Sequence, residues 1–198
     1  DYRIFVHKLP LGNENNIPVN LKNSNFYTSE KKSYDYWSRR ILDAQSKKQE
    51  QIASVMRMKA MMEYPSKERY AKELLNSISS KCIVFANTQD QADRMCKDSY
   101  HSNNPNSDKN LDLFKEGTIK QLSTVLQLSE GVNIPNLKQG IILHAYGNER
   151  KSAQRIGRLL RLNPNDTSTV HILCYVDTVD EKWVKDALDG YDESKIQW

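Results

Sequence analysis

The sequence predicts an α/β fold, a parallel sheet with helices on both faces, preceded by a helical extension or insertion. Three observations carry this. Short runs rich in apolar and β-branched residues at 81–86, 121–126, 140–145 and 169–176 are separated by helical segments, and strands alternating with helices pair in parallel. The runs are nearly continuous in apolar residues rather than alternating, as strands buried on both faces must be. The breakers Gly117, Gly131 and Pro135 fall between the runs, where the chain has to turn.

Residues 2–9 (YRIFVHKL) partly alternate and carry β-formers, so they read as a strand. Pro10, Gly12 and the Asn-rich stretch 13–25 read as a loop or linker, with a disordered surface segment as the alternative. Residues 33–62 contain no Gly or Pro. Trp37, Ile41, Ala44, Ile52, Val55, Met56, Met58 and Met62 recur there at three- and four-residue steps, as in one or two long helices. Basic residues fill the other faces. They suit either a solvated surface or a contact with nucleic acid.

Tyr64-Pro65-Ser66 marks a break and an N-cap before a helix over 67–78. The strand 81–86 follows. Thr88 and Asp90 are candidate caps of a helix over 89–100. Pro105, Asn106 and Ser107 form a turn into a helix over 108–115, with Gly117 as its C-terminal cap. After the strands 121–126 and 140–145 come a helix around residues 154–161, the strand 169–176 and a closing helix over 180–188. The organisation is therefore 1–80, a strand, linker and basic helical segment, leading into a lobe over 81–198.

A chain of 198 residues with 38% apolar and 27% charged residues can bury one full core. No apolar run approaches the roughly 20 residues of a membrane span, so no membrane partner is expected. No basic-then-apolar leader is visible, and a start at Asp1 reads as an excised fragment. Cys82, Cys96 and Cys174 are odd in number and form no CxxC pair. Reduced thiols in a cytoplasmic compartment are expected, with no metal site. His7, His101, His144 and His171 show no metal-ligand spacing and read as structural. A net charge of +4 permits nucleic acid without arguing for it.

The sharpest signal is 154–161 (QRIGRLLR). On a helix, Gln154, Arg158 and Arg161 stand at i, i+4 and i+7 and form one polar stripe. Ile156, Leu159 and Leu160 fall opposite and can pack inward. Two guanidiniums one turn apart suit a polyphosphate, and equally a solvated basic face. Gln-Arg-x-Gly-Arg-x-x-Arg resembles motif VI of the superfamily 2 helicases and translocases. Residues 122–135 (LSTVLQLSEGVNIP) resemble their motif V, and 83–88 (IVFANT) their motif IV. Gln at the head of motif VI is closer to the DExH-like and restriction-type branches than to the DEAD-box branch.

The resemblance implies a RecA-like second helicase lobe whose partner is nucleic acid, with DNA favoured by the restriction-type likeness. It implies that Arg158 and Arg161 reach the γ-phosphate and that Gln154 orders that interface. Gly131 and Asn133 would lie near the ribose, and Thr124, Asn87 and Thr88 would meet nucleic-acid phosphates. Thr124 also reads as a strand-end hydroxyl satisfying backbone, and Thr88 as a plain helix cap. No GxxxxGK[ST] cradle and no acidic pair at the end of an apolar strand is present. Asp180-Glu181 and Asp192-Glu193 read as surface acids. ATP and Mg²⁺ would therefore be gripped mainly by an N-terminal RecA-like lobe outside this chain. The expected activity is that of an ATP-dependent helicase in a larger protein, the fragment alone being inactive. The competing class is a catalytically inactive helicase-like module that binds nucleic acid or protein. A metabolic nucleotide-binding domain is disfavoured because no GxGxxG follows a strand.

Overall fold

The computed structural model describes residues 1–125, 134–145, 156–157 and 167–198. They form two compact units, one of residues 1–9 with 67–198 and one of 10–66.

The larger unit is built on a seven-stranded sheet. Its strands are β1 (Tyr2–Leu9), β4 (Cys82–Ala86), β5 (Ser99–Tyr100), β6 (Gln121–Val125), β7 (Gln139–Ile142), β8 (Ser168–Tyr175) and β9 (Ile196–Gln197), in the order β5-β6-β4-β7-β8-β1-β9. Every pairing in it is parallel. Interior β4 (CIVFA) is buried along its whole length, as its unbroken apolar run requires. β1 pairs with β8 in register from Tyr2↔Ser168 to Leu9↔Tyr175, so the first strand of the chain lies beside one of the last.

Helices cover both faces. Ile83, Phe85 and Leu122 join Leu111 and Phe114 of α5 (Ser107–Glu116) in one core cluster. Val184, Ala187 and Leu188 of α6 (Val179–Leu188) enter the same cluster, as does Ile156, which is 1% exposed as its inward position predicts. On the other face, Ser123 Oγ donates to the Ala92 carbonyl of α4 (Gln89–Met95) at 2.6 Å. There too, His7 Nδ1 lies 2.8 Å from Tyr70 Oη of α3 (Pro65–Ser77). Gly117 ends α5 at φ 86°, the left-handed cap its position predicts. All three cysteines are free and buried. Burial pushes Cys96 up to about 11 and Cys174 up to about 12, which keeps both as thiols.

The smaller unit holds an antiparallel hairpin, β2 (Ile17–Leu21) and β3 (Ser24–Thr28), and two helices, α1 (Glu30–Leu42) and α2 (Lys47–Met62). Ser29 and Ser46 cap the helices, accepting from Lys32 N–H and Gln49 N–H. Arg57 joins them, donating to Ser38 Oγ at 3.0 Å and lying 5.3 Å over the Tyr34 ring. Glu30 is 2% exposed, and its carboxylate accepts from Gly12 N–H, Ser66 N–H and Ser66 Oγ at 2.7–2.8 Å. One carboxylate thus closes both ends of the unit.

Three expectations are corrected. The stretch 13–25 is not all loop, because Ile17, Val19 and Leu21 alternate and pair with β3 through a two-residue turn at Lys22-Asn23. Of the one or two helices expected over 33–62 there are two, with Ser46 capping the second. The helix from Gln89 stops at Met95, because Cys96 is extended and Ser99–Tyr100 pairs with β6 as an edge strand. Ser66 is no cap. It lies inside α3, which starts at Pro65, where proline's missing N–H costs nothing.

Candidate functional site at the strand ends

In parallel α/β sheets ligands gather outside the carboxyl ends of the strands. β4 ends at Ala86, and Asn87 and Thr88 form the turn into α4. Thr88 Oγ1 accepts from Gln91 N–H at 3.1 Å as the N-cap. Asn87 N–H donates to Gln91 Oε1 at 3.0 Å, and Gln91 is itself 1% exposed. The turn is therefore held through its backbone and Gln91, and the Asn87 side chain is not used for that purpose. It is 9% exposed, and neither its Oδ1 nor its Nδ2 has a partner among the described residues. A buried amide left this way costs on the order of 1–3 kcal/mol, which a ligand would recover.

Thr124 stands on β6 opposite Phe85, with Ala86↔Val125 next in register. It is fully buried, and its hydroxyl donates at 3.4 Å to the adjacent Val125 carbonyl, a long contact. The structure thus brings Thr124, Asn87 and Thr88 to one edge of two adjacent strands. Gln154, Arg158, Arg161, Gly131 and Asn133 lie outside the described residues.

At the ends of β7 and β8 stands a charged cluster that sequence reasoning missed. Lys67 Nζ lies 2.5 Å from Asp180 Oδ2 and 2.9 Å from His144 Nδ1. Lys67 and Asp180 are each 1% exposed, and His144 is 4% exposed. Tyr175 N–H donates to the same Asp180 oxygen at 2.9 Å, and the ammonium sits 5.0 Å over the Tyr175 ring. An ammonium only donates, so His144 Nδ1 accepts and the imidazole carries its proton on Nε2. This corrects the reading of Asp180 as a surface acid. A signal was there: Lys67 shares a buried stripe with Ala71 and Leu75, and Asp180 shares one with Val184, Ala187 and Leu188. A charge on an apolar stripe has to be paired. Glu181 is held too, since Asp177 N–H at 3.0 Å and Lys8 at 3.1 Å draw its carboxyl down to about 2.

Across β1, β8 and β7 runs a second polar ladder. His7 Nε2 lies 3.0 Å from His171 Nδ1, and His171 Nε2 lies 3.0 Å from Gln139 Oε1. With the glutamine oxygen accepting, His171 is protonated on Nε2 and accepts on Nδ1 from His7. His7 then accepts from Tyr70 on Nδ1. Protonating both rings would set two donors, His7 Nε2 and His171 Nδ1, against each other, so the ladder holds at most one charged ring. Burial, and then the neighbouring His7, lower His171 to about 4.

The profile of the helicase conserved C-terminal domain matches residues 66–163. That match starts where the smaller unit ends. The chain is 26% identical over 115 residues to the DNA 3'-5' translocase XPB2 of Sulfurisphaera tokodaii, an alignment covering 54% of this chain and 26% of that protein. Among solved structures it is similar to S. cerevisiae Dbp5 bound to RNA and ADP BeF3, with 18% identity, TM-score 0.57, and 66% of this chain and 37% of that one covered. It is also similar to the E. coli DEAD-box protein SrmB (14%, TM-score 0.53, 67% and 82% covered). A third likeness is the C-terminal part of the Fun30 ATPase domain (17%, TM-score 0.51, 84% and 58% covered). The fold is the RecA-like α/β fold of these lobes.

Proposed function

We propose that this chain, whose residues 66–163 match the helicase conserved C-terminal domain, is the C-terminal lobe of an ATP-dependent DNA helicase or translocase. An N-terminal RecA-like lobe of the same protein completes it. The DNA assignment rests on the likeness to the archaeal DNA translocase, of whose length the match covers 26%. The observation that carries the reading is Asn87: a buried side-chain amide, unpartnered among the described residues, at the carboxyl end of the interior strand β4.

Asn87 Nδ2 donates to a phosphate of the tracked strand, and the Thr88 hydroxyl, whose oxygen already caps α4, adds a second donor. Thr124 supports the same edge from β6. ATP, held with Mg²⁺ mainly by the N-terminal lobe, supplies the transferring phosphoryl group. Arg158 and Arg161 hold the charge that spreads over its oxygens during hydrolysis, and Gln154 orders that interface. Gly131 and Asn133 approach the ribose, Asn133 as a neutral hydrogen-bonding group. Three buried thiols suit a reducing, cytoplasmic compartment.

The test is steady-state ATPase of the complete protein on single-stranded DNA. Asn87→Ala removes a donor to a charged oxygen, so the DNA concentration giving half-maximal stimulation should rise by about 10-fold or more. The melting temperature should barely move, because the amide has no partner among the described residues. A complete protein that binds DNA but hydrolyses no ATP would instead be the inactive binding module.

A further inference from the structure

The exposed face of α1 is unlike the rest of the smaller unit. Lys31, Lys32, Asp35, Tyr36, Arg39, Arg40 and Leu42 are exposed on it, while Tyr34, Trp37, Ser38 and Ile41 turn inward. Its one carboxylate, Asp35, is taken by Lys31 at 2.6 Å. Glu30, the other acid of the helix, is buried against Gly12 and Ser66. Arg39 and Arg40 make no side-chain hydrogen bond or ion pair among the described residues. Lys32 has only a 3.3 Å contact with Asn15 Oδ1.

Between these cations stands Tyr36, which is 56% exposed. The half-buried Trp37 meets it at 4.9 Å, interplanar angle 76°, and leaves Tyr36 more than half exposed. Lys32, Tyr36 and Arg40 follow at i, i+4 and i+8, so successive members are about 6 Å apart along the helix axis.

We propose that this stripe, Lys32, Tyr36, Arg39 and Arg40, is a second nucleic-acid contact that binds single-stranded DNA. One base stacks on Tyr36 and the flanking phosphates lie on the cations. A positive track with an open aromatic ring is the composition of a sequence-tolerant single-strand site. A duplex would bury the base faces that the ring needs. The choice of DNA rests on the function proposed above. The stripe itself rests on residues of the smaller unit alone.

The experiment uses the 198-residue chain and fluorescence anisotropy with labelled oligo(dT), and oligo(U) of the same length, across a salt series. Tyr36→Ala should weaken oligo(dT) binding roughly 5- to 100-fold, the range that loss of one stacking platform produces. Tyr36→Phe should keep the affinity. Arg39→Ala with Arg40→Ala should flatten the slope of log K against log salt by about 1.4, two single-strand phosphate contacts at about 0.7 each. All these side chains are exposed, so the variants should melt with the parent. Parental affinity and parental slope in both variants would overturn the inference, as would tighter binding of oligo(U) than of oligo(dT). In that case the face is solvated or docks a protein. Loss of binding on Asn87→Ala with no effect at the stripe would overturn this inference alone and leave the proposed function standing.

Discussion

Lys67 and Asp180 form a salt bridge of 2.5 Å in which each side chain is 1% exposed. The two residues are 113 positions apart and tie α3 to α6 at the strand ends. Taking two charges out of water is costly, so the pair is a point of mutual dependence rather than a net source of stability.

Lys67→Met leaves the Asp180 carboxylate buried without its cation and should cost about 3–5 kcal/mol. Lys67→Met combined with Asp180→Asn removes both charges and keeps an acceptor for Tyr175 N–H. It should be less destabilised than Lys67→Met alone, the non-additivity expected of touching residues. Urea denaturation of the variants measures this. A Lys67→Met protein within 1 kcal/mol of the parent would mean the pair is not formed.

Arg158→Ala and Arg161→Ala should leave stability within about 0.5 kcal/mol, as for surface sites. Each should lower single-stranded-DNA-dependent ATPase of the complete protein by a factor on the order of 10³ or more. Lys at 158 should not restore turnover, since a point charge cannot reproduce the planar fork. ATP binding should weaken less than turnover. Normal folding together with parental hydrolysis in both variants would return the stripe to a solvated basic face.

The histidine ladder predicts acid sensitivity. His171 falls to about 4 in the folded chain from its usual 6.5, and His7 is lowered as well, both through burial. Between those values the unfolded chain binds more protons, so stability is complete above pH 6.5 and falls as the pH drops towards 4. The loss from His171 should be on the order of 2 kcal/mol after discounting its partial exposure. Thermal melts across this range test it. His171→Gln should show a shallower pH dependence than the parent, and an identical slope would remove the ladder as its source.

The 198-residue chain by itself should not turn over ATP, because it contains no GxxxxGK[ST] cradle. Sustained hydrolysis by the purified chain, free of contaminating ATPase, would refute the division of the site between two lobes.

The sequence by itself determined the parallel sheet, because buried strands such as Cys82–Ala86 must be apolar throughout and that pattern is local. Turn chemistry was equally legible at Thr88 and Gly117, where a cap or a left-handed residue is required by the immediate neighbours. The hairpin Ile17–Thr28 was missed because its Asn-rich composition outweighed a short alternation that only pairing makes visible. Tertiary structure alone decided that β1 lies between β8 and β9, a placement in the sheet that no local pattern encodes. It alone decided that the Asn87 amide is buried with no hydrogen-bond partner among the described residues. It also made Asp180 a core residue. A carboxylate before a charged helix looks solvated until a lysine from position 67 arrives within hydrogen-bond distance, and the energy that keeps it buried belongs to that long-range pair.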